Sequence, residues 1–292
     1  MQQTTSFAGK NWYYPFREIN ITFDEKRCKK RIASISEQYS KFTDHWNTEK
    51  NSEWTCRFFI AAKLIGVATS HINAWKIVEN RGLHITGASL KYYATLSLLR
   101  AVCCTLPNHK WNKGKIIQTS SEDASKWTLE YLKEFDPKFS KSIEKVIKDL
   151  EHKNESVSYE ANSLEKVSVD NHDFLSACRL LAEIAQFNSE LLEELLFERN
   201  FYDKKSEFTL LPKYLDEITF SKNDEHSHEN MQSQQQLRLI AKKHPEPKNL
   251  MRLMTKGYID NYFAWWFQKD DFNDHVIDKF DPKRQIIFDI PY

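Results

Sequence analysis

The chain is poor in glycine, with six residues in 292. Phosphate-binding loops, the turns of β-rich folds and doubly wound folds all use glycine, so its scarcity counts against these classes. The five cysteines form no Cys-x-x-Cys motif, and their odd number argues against a disulfide framework or a zinc knuckle. Gly-x-Ser-x-Gly, P-loop, His-Glu-x-x-His and kinase motifs are also missing. The sequence therefore carries no signature of these common enzyme classes.

An excess of one charge is missing as well, because 42 basic and 41 acidic residues leave a net charge of +1. No global field attracts nucleic acid or an anionic membrane, although a local patch still could. The first residues, "MQQTTSFAGKNWYYPF", lack the pattern of a signal peptide, and no apolar run reaches the ~18 residues of a membrane span. We expect a soluble cytoplasmic protein without membrane contact, in which Cys103 and Cys104 are buried free thiols.

Helical periodicity is the main feature that the chain does contain. Asp24 is the expected N-cap of one helix, and Ser52 that of a longer helix which stops near Gly82. The most apolar window, "GASLKYYATLSLLRAVCCTLP", ends at Pro107 and is apolar on nearly every face. A helix of this kind touches neighbours on several sides, so we expect it at the centre of the fold.

The second half of the chain is also mostly helical in pattern. Helices are predicted after Ser120 or Ser121, from Pro137, and through "HDFLSACRLLAEIAQFNSELLEELLFERNF". The segment Ser221–Gln236 is polar and low in complexity, which predicts a mobile loop. An aromatic-rich, mostly buried helix is expected in "NLMRLMTKGYIDNYFAWWFQKDDF".

Two short segments, Ile19–Phe23 and Gln285–Ile290, have strand character. Isolated strands cannot satisfy their backbone groups, so we expect both in one small sheet that joins the termini. The predicted fold class is mainly α: a helical bundle with a small β element formed near the two termini. Weak patterning separates residues 1–155, a helical bundle region, from residues 156–292, a C-terminal helical region packed on it. One continuous domain is the alternative.

The most apolar window also carries a resemblance. Its core, "LKYYATLSLLRAVCC", resembles a helix that recurs in the HEPN superfamily, and "NWYYPF" and "CRFFIAAKLIG" before it make the chain similar to the YaaC-like family. The resemblance covers about residues 10–135. It implies a four-helix bundle, usually dimeric, and either a ribonuclease of a toxin–antitoxin, CRISPR-linked or phage-defence system or an inactive binding protein. The residues that carry it are Tyr92, Tyr93, Leu98, Leu99, Arg100 and Ala101.

The resemblance implies a catalytic motif of arginine, four to six residues, and histidine. Histidine supplies an acid or base near neutral pH and arginine a fixed cation for the phosphate, so such cleavage needs no metal or cofactor. Arg100 and His109 depart from the motif, with eight residues between them. Arg238 and His244 have five between them but lie outside the resembling region, and roughly one such pair is expected by chance. These four are the candidate catalytic residues.

One tight basic run, "KRCKKR", is the candidate nucleic-acid contact. Cations with aromatic neighbours hold phosphates and stack on bases, and Trp12, Tyr13 and Tyr14 are near in sequence. The alternative is a charged face of the first long helix. The basic residues concerned are Lys26, Arg27, Lys29, Lys30 and Arg31.

Two polar clusters contain the residue types that bind metals. His226 and His228, in "DEHSHEN", are expected in a solvated loop that offers no support for a ligand set. Asp271, His275 and Asp278 have the spacing of one helix face and could hold a divalent metal, with a solvated acidic face as the alternative. We predict no metal site and no cofactor.

These features together predict a HEPN- or YaaC-like bacterial protein that is non-enzymatic or weakly catalytic. It would work through protein or RNA contacts, in a setting such as phage defence or a toxin–antitoxin system. A metal-independent endoribonuclease of the HEPN kind is the first alternative, and a purely structural scaffold subunit is the second. The expected partners are a protein encoded nearby, RNA, or a second copy of the chain.

Overall fold

The computed structural model describes residues 5–159, 170–199, 210–218 and 227–255. Within these ranges the protein is a helical bundle with one two-stranded antiparallel sheet near the N-terminus, which confirms the predicted mainly α class. The helices are α1 (Arg17–Thr22), α2 (Glu25–Thr43), α3 (Thr48–Glu79), α4 (His84–Thr105), α5 (Ser121–Lys133), α6 (Pro137–Tyr159), α7 (Asn171–Glu198), α8 (Pro212–Glu217), α9 (Ser227–Lys243) and α10 (Leu250–Leu253).

The sheet is a hairpin of β1 (Thr5–Phe7) and β2 (Lys10–Trp12). Its two linking residues, Ala8 and Gly9, have φ angles of 51° and 79°. Positive φ at both positions is the mark of a type I′ turn, whose twist matches that of paired strands. Glycine adopts this conformation without strain, which accounts for one of the few glycines in the chain.

The prediction of a strand over Ile19–Phe23 is wrong, because the segment lies in α1 and the turn after it. The first and last residues of the segment are four apart and both are buried, whereas Ile21 between them is 82% exposed. Residues four apart share one face of a helix as readily as alternate residues share one face of a strand. A segment of five residues is too short for the pattern to distinguish the two.

Tertiary hydrogen bonds favour the helix. The carboxylate of Glu183 accepts hydrogen bonds from the backbone N–H groups of Arg17 and Ile19, at 2.9 Å each. These N–H groups have no partner inside α1, since the first turn of a helix leaves its donors unpaired. The other predicted strand, Gln285–Ile290, lies outside the described residues, but its predicted pairing with Ile19–Phe23 is wrong, because that segment is helical.

The predicted helix starts are correct where a short polar side chain caps the backbone. Asp24 accepts from the N–H of Lys26 at 2.8 Å, and Ser120 caps α5 in the same way. The start of α3 is different: its N-cap is Asn47, not Ser52. Ser52 is buried within the first turns of α3, so the helix begins five residues earlier than predicted.

The central position of the apolar window is confirmed. Helix α4 packs along α3 and also contacts α5, α6 and α7. Ala101 and Cys103 have no exposed surface, although a step of two residues along a helix is a rotation of about 200° and places them on nearly opposite faces of α4. The turn between α3 and α4 contains Gly82 with φ of 72°, and α4 ends before Pro107.

One hydrophobic core includes residues from both predicted regions, 1–155 and 156–292. Phe187 of α7 is fully buried in this core, with its ring 4.9 Å from that of Trp12 and 5.6 Å from that of Phe16. Helix α7, the long periodic helix predicted for the second half, packs against α1, α2, α4 and α6. The two regions therefore contribute to the same interior.

The predicted loop Ser221–Gln236 is wrong from Ser227 onward, where α9 begins. Composition alone made this segment appear unstructured, but tertiary contacts stabilise the helix. The hydroxyl of Ser233 accepts from the ammonium of Lys63 at 2.6 Å, and the amide of Gln234 donates to the carbonyl of Leu215 at 3.1 Å. Tertiary contacts of this kind outweigh the intrinsic helix propensity of a segment.

The helix expected from Asn249 onward is interrupted near its start. Helix α10 has only four residues, Leu250–Leu253, and Met254 leaves the helical conformation with ψ of 54°. The aromatic residues further on, including Trp265 and Trp266, lie outside the described residues, as do Asp271, His275 and Asp278. The histidine cluster of "DEHSHEN" lies in a part of the chain whose side chains are not described.

All five cysteines are free and buried, which confirms the prediction for Cys103 and Cys104. Burial raises the pKa of both of these thiols to about 12. A thiol with so high a pKa contains almost no nucleophilic thiolate near neutral pH. The pair therefore fills the core and does not supply a reactive group.

Replacing Leu98 by Asp should destabilise the protein severely, because an unpaired carboxylate at a fully buried position costs several kcal/mol out of a typical total of about 5–15 kcal/mol. The matched control is Leu83→Asp. Leu83 is 52% exposed and is the N-cap of α4 without a side-chain hydrogen bond, so Asp is favourable there. Urea unfolding followed by circular dichroism measures both. Equal midpoints for Leu98→Asp and wild type would contradict the central position of α4.

Candidate functional site

The first candidate pair, Arg100 and His109, has separate partners in the structure. The Nε of Arg100 donates to the carbonyl of Thr119 at 2.9 Å. The ring of His109 stacks on that of Trp127, with centroids 4.2 Å apart. Burial, and then the charge of Arg57, lower the pKa of His109. Both side chains thus hold the segment between α4 and α5 against the bundle.

The side chains of the second candidate pair, Arg238 and His244, do not line the same groove either. Arg238 is exposed on α9 and does not line the shallow groove, of about 150 Å³, that His244 lines at the end of this helix. Arg252 and Lys243 line the groove instead. Burial, then the charges of Lys248 and Lys243, lower the pKa of His244. The arginine that shares a groove with His244 is therefore Arg252, which no sequence motif indicated.

Two members of the basic run bind other parts of the protein. Arg31 is buried, with its guanidinium 4.4 Å from the centroid of the Tyr131 ring, and it pairs with Glu134. Arg27 pairs with Asp136. Both acidic partners lie in the turn between α5 and α6, so these arginines attach the start of α2 to that turn.

The remaining members of the run, Lys26, Lys29 and Lys30, are exposed. The aromatic residues expected beside them are used within the fold. Trp12 and Tyr14 are buried, and the ring of Tyr13 lies 4.8 Å from the guanidinium of Arg252. The arrangement gives three exposed lysines without the stacking rings that were expected with them.

A groove with a volume of about 670 Å³ lies between α5 and α6. Its floor is apolar and is formed by Tyr92, Leu129 and Ile147. The hydroxyl oxygen of Ser125 is buried at this floor and has no hydrogen-bond partner among the described residues. The charged side chains that line the groove are Glu122, Lys126, Glu130, Lys133, Lys141, Glu144, Lys148 and Glu151.

The sequence does contain a signal for this groove. Lys126 and Lys133 are seven residues apart on α5, and Lys141 and Lys148 are seven apart on α6. A repeat of seven places these side chains on one edge of each helix, as in coiled coils. The same residues also have the appearance of solvated helix faces, which is the commoner meaning of such charges.

A second cluster of ionisable groups is internal and lies on α7. Glu190 accepts from the backbone N–H of Tyr13 and from the side-chain amide of Gln186, the latter at 2.9 Å. Glu193 accepts from the backbone N–H of Asn249 at 3.2 Å and lies 3.2 Å from the ammonium of Lys248. These contacts attach chain segments on both sides of α7 to its buried polar face.

Burial raises the pKa of Glu190 to about 7, and the nearby charge of Glu193 adds to the increase. Burial likewise raises the pKa of Glu183 above its ordinary value. Hydrogen bonds from backbone N–H groups oppose both increases but do not cancel them. The cluster is therefore a structural element whose charge changes near neutral pH.

No group of three or more histidine, cysteine, aspartate or glutamate side chains in the described residues has the arrangement of a metal site. No helix in the same ranges has the length and apolar character needed to span a membrane. Compared with known proteins, the chain matches no family model, no curated protein and no solved structure. The resemblance to HEPN and YaaC-like proteins therefore stays a prediction.

The raised pKa of Glu190 predicts a specific pH dependence of stability. The folded state holds the proton more tightly than the unfolded state, so the stabilisation is complete below the ordinary pKa of about 4.5 and is lost as pH rises through about 7. The loss is at most about 3 kcal/mol. Urea unfolding at pH 5 and pH 8 should show a smaller loss for Glu190→Gln than for wild type.

The matched control for this experiment is Glu198→Gln, because Glu198 is exposed on the same helix. Its pH dependence should equal that of wild type. If Glu190→Gln and wild type lose the same free energy of unfolding between the two pH values, the titration of Glu190 does not contribute to stability.

Proposed function

We propose that this protein is a binding module whose groove between α5 and α6 receives an amphipathic helix of a partner protein. The observation that carries the proposal is the groove itself, about 670 Å³ in volume, with an apolar floor between two charged edges. The sequence predicted a protein that works through protein or RNA contacts, and this proposal takes the first of these two alternatives.

The shape and floor of the groove support a helical ligand. An amphipathic helix places its apolar face into a hydrophobic groove through residues spaced three or four apart. Helix α5 has 13 residues, which corresponds to a length of roughly 20 Å. Leu129 and Tyr92 are only partly buried and offer apolar surface along this length. Three to four turns of a partner helix match such a groove.

The charges of the groove support a protein ligand over RNA. Four lysines and four glutamates line it, so its net charge is zero. Binding to nucleic acid depends on cations that neutralise phosphates, and equal numbers of carboxylates cancel that attraction. Mixed charge beside an apolar strip is instead typical of helix–helix contacts.

Selection from a displayed library of amphipathic helices should give peptides that bind wild type, and Leu129→Glu should weaken their binding at least ten-fold, because it places a charge on the apolar floor. The matched control is Leu239→Glu, since Leu239 is 66% exposed on α9, away from the groove. Fluorescence anisotropy measures the dissociation constants, and circular dichroism checks that both variants fold. Failure to select any helix, or equal binding by Leu129→Glu, would contradict the proposal.

A ribonuclease is a second candidate, favoured by one observation: His244, Arg252 and Lys243 line a single groove. Cleavage of RNA needs an acid or base and a cation at the same phosphate, and this groove contains both kinds of side chain. Its guanidinium is partly engaged, because the Nε of Arg252 lies 3.7 Å from a carboxylate oxygen of Glu193. This candidate ranks below the binding module for that reason.

Chelator-resistant cleavage of total RNA, abolished in His244→Ala, is the result that the second candidate predicts. His45→Ala is the control, because His45 is exposed in the turn before α3. His109→Ala separates this groove from the first candidate pair. If wild type leaves RNA intact in the presence of chelator, the protein is not a metal-independent ribonuclease. That result does not bear on the proposed binding module.

A further inference from the structure

The lysines and glutamates that line the groove between α5 and α6 are equal in number, and they also follow a regular order along each helix. The turn that joins the helices has three residues, 134–136, so α5 and α6 run as antiparallel neighbours. The groove is therefore closed at the turn, beside Lys133 and Pro137, and open beside Glu122 and Asn154. Each edge can be followed from the closed end to the open end.

Along α5 the charges alternate in sign, and along α6 they alternate in the same order. From the closed end both edges begin with lysine and end with glutamate, at spacings of three or four residues. Such spacings keep each set on one face of its helix. The order along α5 is Lys133, Glu130, Lys126, Glu122, and the order along α6 is Lys141, Glu144, Lys148, Glu151.

The charges on α5 are accessible to a ligand. On α5, all four charged side chains, Glu122, Lys126, Glu130 and Lys133, are exposed. On α6, Glu144 and Lys148 pair with each other at 2.6 Å, and both are solvent-exposed. An exposed pair of this kind contributes little to stability, so exchanging it for an intermolecular pair has a small cost.

We propose that α5 and α6 form two-thirds of a three-helix coiled coil and select a third helix whose flanks alternate between acidic and basic residues. This inference rests on the proposed function and specifies its partner. In a heptad helix with apolar a and d positions, the flanks are the e and b positions on one side and the g and c positions on the other. Acidic residues at e and g together with basic residues at b and c make the charges alternate in sign along each flank. This alternation complements the lysine–glutamate order along the edges of the groove.

The alternation excludes other helices by repulsion. A helix with uniformly acidic flanks meets glutamate at half of the positions along each edge, and a uniformly basic helix meets lysine at the other half. Like charges at such positions are destabilising by about as much as opposite charges stabilise. Specificity of this kind depends on the unfavourable pairings as much as on the favourable ones.

The test uses three peptides of about three heptads with identical leucine a and d positions. Their flanks are alternating, all glutamate, or all lysine. The alternating peptide should bind wild type roughly ten-fold more tightly than either uniform peptide, and the difference should shrink at high salt. Equal affinity of all three would overturn the charge selection while leaving the binding module in place. Binding by none of them would overturn both proposals.

A double variant, Lys126→Glu with Lys133→Glu, makes the whole α5 edge acidic. Both residues are exposed, so the fold should be retained. The variant should lose affinity for the alternating peptide and gain affinity for the lysine peptide. The matched control is Lys138→Glu with Lys145→Glu, also exposed and seven residues apart on α6, but outside the groove lining. If the control changes the affinities as much as the variant, only net charge matters, and the ordered selection is wrong.

Discussion

The buried polar face of α7 is the constraint on which the rest of the fold depends. Its carboxylates cannot be left without partners, since an unsatisfied buried charge costs several kcal/mol. Glu183 accepts hydrogen bonds from backbone N–H groups at the start of α1. Glu190 accepts one from the N–H of Tyr13, and Glu193 accepts one from the N–H of Asn249. One helix thereby fixes the path of two chain segments, one leading into α1 and the other into α10, on either side of it in the sequence.

The C-terminus of α4 shows the same principle with a cation. Carbonyl groups in the last turn of a helix have no partner inside it, and this end is buried. The guanidinium of Arg57 donates to the carbonyls of Cys104, Leu106 and His109, at 2.7 to 2.8 Å. Tyr39 donates to the carbonyl of Thr105 at 2.6 Å. The segment after α4 is therefore set by hydrogen bonds to its backbone, which places His109 against Trp127 irrespective of any catalytic role.

The sequence predicted those parts of the fold that depend on local pattern. Apolar periodicity located α4 and α7, and a short polar side chain located the N-cap Asp24. Glu183 and Glu190 could not be recognised as buried, because nothing local distinguishes them from the solvated glutamates of an amphipathic helix. The same ambiguity hid the groove, whose charges resemble an ordinary surface until α5 and α6 are seen side by side. Distant partners decide these cases, and the sequence alone does not show them.

The basic run predicted to bind nucleic acid has a structural consequence for the groove. Arg27 and Arg31 pair with Asp136 and Glu134 in the turn between α5 and α6, and the guanidinium of Arg31 packs on the ring of Tyr131. These contacts fix the hairpin of α5 and α6 to α2. Binding to a surface that is already ordered loses less conformational entropy than binding to one that must first fold. The arginines would therefore serve the groove by holding its two edges in place, without touching the ligand.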